Sequence, residues 1–200
     1  MSLKNVRVGF AVTGSFCTFS RILPAMQEFV NEGAIVQPIF SPVVSHEDTR
    51  FFQAEDFAKR VQEITGKKIW VTLNEVEPIG PKKLLDILLV APCTGNTLGK
   101  LASGIIDTPV VMAVKSHLRN SRPVVLAVST NDGLSGSAEN LGRLLNRRHY
   151  YFVPFGQDDP AAKPNSLVAH MDQIVQTCKM ALEGQQPQPI LVSYEGGENR

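Results

Sequence analysis

Cysteine is scarce in this chain. Its three residues, Cys17, Cys93 and Cys178, form neither a Cys-x-x-Cys pair nor a Cys/His ligand spacing, so no metal site is expected. Their odd number argues against a disulfide framework and for a reducing compartment, read as the cytoplasm. An excess of one charge is also lacking: 20 Lys and Arg stand against 19 Asp and Glu, which gives no electrostatic reason to expect nucleic acid or another polyanion. No apolar run approaches the roughly 18 residues of a membrane span, and Met1 to Asn5 lead straight into a short apolar strand without a signal-peptide pattern. Neither membrane spanning nor secretion is therefore expected. Internal repeats, the Gly-x-Gly-x-x-Gly fingerprint and the Walker pattern are missing as well. What remains is an ordinary folding composition, 43% hydrophobic and 20% charged over 200 residues. It reads as a single domain, residues 1–184, followed by a Gln/Pro-rich tail, residues 185–200, expected to be mobile or ordered by a neighbour.

Strand and helix patterns alternate along the chain. Val6 to Val12 is a β-rich apolar run, followed by Ile22, Leu23, Met26, Phe29 and Val30 at helical spacing up to Gly33. Ala34 to Phe40 reads as a second strand, and Phe51, Ala54, Ala58, Val61 and Ile64 share a helix face that Gly66 ends. Ile69 to Val71 reads as a short strand and Asn74 to Pro81 as an irregular loop. Leu85 to Val90 is a continuous apolar strand of the kind covered on both faces, hence the sheet centre. Helices near Thr97 to Ser103, Val110 to Arg119 and Ser135 to Asn146 alternate with strands Val124 to Val128 and Tyr150 to Val153, and a final helix is expected over Ser166 to Leu182. The expected fold is α/β: three layers, Rossmann-like, with a mostly parallel sheet and helices on both faces. In such a fold ligands bind at the carboxyl ends of strands.

Three segments at those ends carry hydrogen-bonding groups. Thr13-Gly14-Ser15 follows the first strand and opens a helix, where backbone N–H groups and the helix dipole favour a phosphate. A tight turn at Gly14 with Ser15 or Thr18 capping the helix explains the same residues equally well. Ser41 and Ser45 flank the end of the second strand, where a turn-forming Ser-Pro is the plainer reading and Ser41 the retained contact. Pro92-Cys93-Thr94-Gly95-Asn96-Thr97 follows the central strand with more amide and hydroxyl groups than a purely structural loop needs.

This last segment resembles the Pro-Ala-Ser-Ala-Asn-Thr motif of the flavin-containing cysteine decarboxylase superfamily, with Cys93 and Gly95 in place of small residues and Asn96-Thr97 retained. The first-strand Val12-Thr13-Gly14-Ser15 resembles that superfamily's phosphate turn. Val128-Ser129-Thr130-Asn131 falls where its third flavin-contacting strand end lies, and Leu98 to Asp107 continues the likeness. The resemblance implies FMN held by Thr13, Gly14, Ser15, Ser41, residues 92–97, Ser129, Thr130 and Asn131, and a trimer-based homo-oligomer. Pro154 to Pro160, Lys163 to Val168 and Gln186 to Pro189 are similar to one branch of the superfamily whose members work as one of two unlike subunits. That branch implies an oxidoreductase component acting in the mother-cell cytoplasm of a sporulating bacterium. With a partner A subunit carrying NADP, it would oxidise a dihydro or tetrahydro precursor, a small dicarboxylate, to pyridine-2,6-dicarboxylate.

The superfamily's decarboxylases place a catalytic His before a Phe, where this chain has Arg50-Phe51, and a guanidinium cannot act as a base at neutral pH. His46 lies one helical turn upstream, where a helix-start residue is the plainer reading. Cys93 could be a redox thiol or simply a small side chain at a position that tolerates any. These three are weak candidates, and the catalytic residues stay open. Arg21, Lys115, His117 and Arg119 could offer charge to a dicarboxylate or flavin phosphate, although solvated faces explain most such residues. Two alternatives stand beside the oxidoreductase component: a flavin-free scaffold for the A subunit, and a related FMN-dependent decarboxylase or transferase.

Overall fold

A computed structural model describes residues 1–194. Strand β1 (Arg7–Val12) pairs in parallel with β2 (Ile35–Phe40) on one side and β3 (Ile87–Cys93) on the other. β3 pairs in parallel with β4 (Val124–Thr130), and β4 with β5 (Tyr150–Phe152). The parallel part therefore runs β2-β1-β3-β4-β5. Every residue of β3 is buried and all but the last of β4, which accounts for their unbroken apolar sequence: a central strand has no solvent face to make polar.

Helices flank the sheet in two groups. Helix α1 (Phe19–Asn31) packs against α3 (Ala54–Thr65) and α8 (Ile174–Leu182). In the other group α5 (Gly95–Ser103) meets α6 (Pro109–Leu118) and α7 (Ala138–Leu145), while the single-turn α4 (Leu73–Val76) meets α6. Short α2 (Pro42–His46) bridges β2 to the α3 approach. An aromatic cluster fixes that approach: Phe57 stacks on Phe19 at 4.3 Å and on Phe40 at 5.5 Å, with Phe52 against it at 5.4 Å. At the opposite, amino end of the sheet Asp86 takes two hydrogen bonds from the Arg7 side chain (2.6 and 3.0 Å) and one from Arg122 (3.2 Å). Burial alone would raise the Asp86 pKa; the Arg7 bonds and the two guanidinium charges hold it below the usual carboxylate range.

Three elements differ from the sequence reading. The helix expected over Ser166 to Leu182 is helical only from Ile174, after a 3-10 turn at Met171–Gln173. Leu167–Ala169 is instead β7, antiparallel both to the top of β4 and to β6 (Phe155–Gly156). A short apolar run fits either element, and here the edge of β4 decided. The expected loop at Asn74 to Pro81 begins as α4, because Thr72 and Glu75 form a reciprocal capping box, and continues as a 3-10 turn to Ile79. Of Ile69 to Val71 only Trp70 bridges to the sheet, at Ile39.

Residues 186–194 lie as a strap on the body. The Gln186 side chain donates to Phe152 O and accepts Phe152 N–H, both at 2.8 Å. Leu191 bridges Phe155, and the Tyr194 hydroxyl donates to the Val168 and Ala169 carbonyls while its ring stacks on His170. The remainder of the expected tail, residues 195–200, lies outside the described residues.

Candidate functional site

Strand order reverses between β1 and β3, so the chain leaves the carboxyl ends of these neighbours in different directions and opens a crevice there. Thr13, at the end of β1, is 2% exposed; its Oγ1 donates to Pro92 O at 2.7 Å and accepts the Thr94 N–H at 3.2 Å. The single hydrogen of this hydroxyl and one of its two lone pairs therefore go to tying β1 to β3. Thr94 is committed in the same way: as N-cap of α5 its Oγ1 accepts from the Thr97 N–H and lies 3.0 Å from the Thr97 hydroxyl. Of the expected contacts, Thr13, Thr94 and Thr97 shape the crevice walls.

Other groups there remain free to meet a ligand. Ser15 Oγ and Ser129 Oγ share one hydrogen bond at 2.7 Å, which joins the β1 turn to the end of β4 and leaves one of the two hydroxyl hydrogens over for a ligand or for Cys17 Sγ, 3.9 Å from Ser15 Oγ. Ser41, whose N–H donates to Val12 O, is 7% exposed, and its Oγ has no partner among the described residues. A buried hydroxyl without a partner costs about 1–3 kcal/mol, so a bound acceptor at this point would relieve it. Ser45 instead turns its hydroxyl back to the Ser41 carbonyl. At Gly14 a Cβ would come within 2.9 Å of the Val43 side chain on α2, so glycine avoids a close contact there. No acceptor faces the N–H groups of Gly14 or Phe16 among the described residues. Gly95 and Asn96 form the open first turn of α5, with Asn96 exposed, and Asn131 is exposed beyond the end of β4.

One residue of this crevice escaped the sequence reading. Thr130 Oγ1 donates to Asp132 Oδ1, and a Cβ at Gly95 would lie 2.7 Å from both oxygens and 2.6 Å from Ser137 Oγ. Asn131-Asp132-Gly133 reads as turn chemistry alone; only its place directly after a central strand pointed to a site. Among the described residues one hollow lies over Arg50, Gln53, Lys59 and Arg60 and another between α1 and β7, lined by Arg21, His170, Met171 and Tyr194. Neither contains the strand-end residues, and the free hydroxyl and amide groups single out the crevice instead.

The model of the family named Flavoprotein matches residues 1–179. The chain belongs to the Flavoprotein family. It is 47% identical over 198 residues to the B subunit of dipicolinate synthase from Bacillus subtilis, covering 98% of this chain and 99% of the relative. The crystal structure of the B subunit of dipicolinate synthase from Bacillus halodurans superposes with a TM-score of 0.89 at 42% identity, covering 96% of this chain and 99% of that one. DmrB of Burkholderia xenovorans, in complex with FMN and described as a cubic protein cage for redox transfer, shares the fold, with a TM-score of 0.67 at 16% identity over 90% of this chain and 97% of its own.

Within this Flavoprotein-family fold the catalytic candidates do not assemble. Cys93 is wholly buried in β3 and burial pushes its thiol up, surroundings that do not favour a redox thiol. His46 is exposed at the end of α2 with Nδ1 2.8 Å from Pro42 O, a local helix contact. Arg50 is exposed, its guanidinium 4.8 Å above the Phe51 ring. The charge candidates also fall elsewhere. His117 Nε2 lies 3.1 Å from Pro123 O, just before β4, so Lys115, His117 and Arg119 belong to the amino end of the sheet, away from the crevice. Arg21 lines the α1 hollow. Among the described residues no helix is long and apolar enough to cross a membrane, and no group of His, Cys, Asp and Glu could hold a metal.

Proposed function

We propose that this chain binds FMN and serves as the B-type component of a dipicolinate synthase. It would act with an A subunit, the carrier of NADP, to oxidise a dihydro or tetrahydro heterocyclic dicarboxylate to pyridine-2,6-dicarboxylate during sporulation. The observation that carries the reading is the near-full-length likeness to the B subunit of dipicolinate synthase, joined to a crevice whose free groups suit a phosphate-bearing ring. The residues fit the cofactor. Ser41 Oγ, the Gly14 turn and the hydroxyl hydrogen left over from the Ser15–Ser129 pair are all donors, as a phosphate requires. The ends of β3 and β4 would then bracket the ring through Gly95, Asn96, Ser129, Thr130 and Asn131.

A bound flavin would supply the capacity to accept two electrons. The chain's own part is to orient ring and substrate and to exclude water along the strand ends. None of the crevice residues named above is Lys or Arg, so charge for the dicarboxylate would come from the A subunit or from another copy of this chain. A trimer-based homo-oligomer in the cytoplasm of the mother cell belongs to the same reading.

Titration with FMN by calorimetry and absorbance, alone and with A subunit and precursor, tests it. Micromolar or tighter binding with bleaching of the flavin band on substrate addition is expected, and no binding under either condition would sink it. The absence of a base at the Arg50 position and the internal commitment of Thr13 and Thr94 favour one second reading, a flavin-free scaffold. A colourless protein that still raises A-subunit activity would establish that instead.

A further inference from the structure

Hydrogen-bond direction divides the crevice into two unlike poles. A hydroxyl has a single hydrogen, and that of Thr130 goes to Asp132 Oδ1. Toward the crevice Thr130 can therefore only accept. Asp132 Oδ2 has no hydrogen-bond partner among the described residues, so a second acceptor stands beside it. Against this pair lies the first turn of α5, whose Gly95 and Asn96 N–H groups can only donate; the 2.7 Å clearance between a Gly95 Cβ and both Thr130 Oγ1 and Asp132 Oδ1 shows how close they are. Acceptors and donors thus lie side by side over one short edge. At the β1 and β2 side every free group can donate, among them the buried, unpartnered Ser41 hydroxyl.

An anion does not suit the Thr130–Asp132 pair, because it brings no hydrogen for Thr130 and would meet the Asp132 carboxylate. A ring edge of the imide type, with an N–H between two carbonyls, offers a donor to that pair and an adjacent acceptor to the α5 N–H groups. The oxidised flavin ring has a single N–H, at N3, and it lies in such an imide. We propose that the Thr130–Asp132 pair reads the N3–H of the flavin ring, so that this pole sets ring specificity and orientation while the Ser41 pole takes the phosphate. The inference rests on the flavin-binding reading and adds to it which residues recognise which end.

The test compares the affinities of FMN, riboflavin and N3-methyl-FMN for the full chain and for Thr130→Val, Thr130→Ser and Asp132→Asn, with circular dichroism melts to verify folding. The wild type is expected to favour FMN over N3-methyl-FMN by about tenfold or more, the scale of one hydrogen bond that leaves a buried partner unpaired when lost. Thr130→Val should cut that preference below about threefold and leave the FMN-to-riboflavin ratio unchanged; Thr130→Ser should restore it, and Asp132→Asn should weaken it. An equal preference in wild type and Thr130→Val overturns the assignment even if FMN binds. Failure of the wild type to bind either FMN or riboflavin overturns the flavin reading itself, and this assignment with it.

Discussion

At the scale of single residues, the hydroxyl groups of the crevice have separable tasks that a mutation series can resolve. Thr13 is closed off by Pro92 and Thr94, so Thr13→Val should cost about 1–3 kcal/mol of stability, a fall of several degrees in Tm for a chain of this size. Its effect on FMN affinity should be secondary. Ser41 is the converse case. Ser41→Ala should leave Tm unchanged or raised, because it removes an unpaired buried hydroxyl, yet weaken FMN binding by about 1 kcal/mol or more in calorimetry. An unchanged affinity would show that the phosphate goes elsewhere. Thiol reactivity gives a third check: exposed Cys17 should label at once with a maleimide, whereas buried Cys93 and Cys178 should label only after denaturation.

At the scale of elements, the strap of residues 186–194 depends on one glycine. A Cβ on Gly156 would collide with the Val192 carbonyl, and that carbonyl is backbone, so it cannot simply rotate aside. Gly156→Ala should release the strap while the parallel sheet stays intact. Limited proteolysis should then cut between Gln185 and Tyr194 markedly faster than in the wild type; equal rates would mean that the Gln186 and Tyr194 contacts hold the strap without it. Elements also show where local sequence was a sufficient guide. Gly66 and Gly104 end α3 and α5 in the left-handed conformation that glycine permits, and both helix ends were legible. The Thr72/Glu75 capping box was equally local, but Pro78, Gly80 and Pro81 around it gave the stretch the composition of a loop.

At the scale of the whole molecule, acid should unfold the protein partly through one buried imidazole. Burial lowers the His117 pKa from 6.5 to about 4. The unfolded chain therefore binds that proton first, and stability should fall as pH drops from about 6.5 towards 4, by up to about 1.4 kcal/mol per pH unit from this group. Urea unfolding of wild type and His117→Gln at intervals across that range should give a steeper decline for the wild type, and parallel curves would exclude His117 as the cause. Assembly belongs to this scale too. The proposed homo-oligomer should give a mass of several chains by light scattering at micromolar concentration, and a mass near 21.9 kDa would sink it.

By itself the sequence determined the alternation of strand and helix, the central place of the unbroken apolar strands, and which polar segments lie at strand ends, because those features follow from periodicity, burial and turn chemistry within a few residues. The family likeness was legible for the same reason: its motifs are contiguous. Only the tertiary structure decided which hydroxyls are free. Thr13 and Ser41 look alike as residues after a strand; one faces Pro92 and Thr94, 79 and 81 positions away, and the other faces no partner among the described residues. Likewise the commitment of Leu167–Ala169 to β7 and the approach of Asp132 to Gly95 are contacts between distant segments, and no local pattern encodes the distance between them.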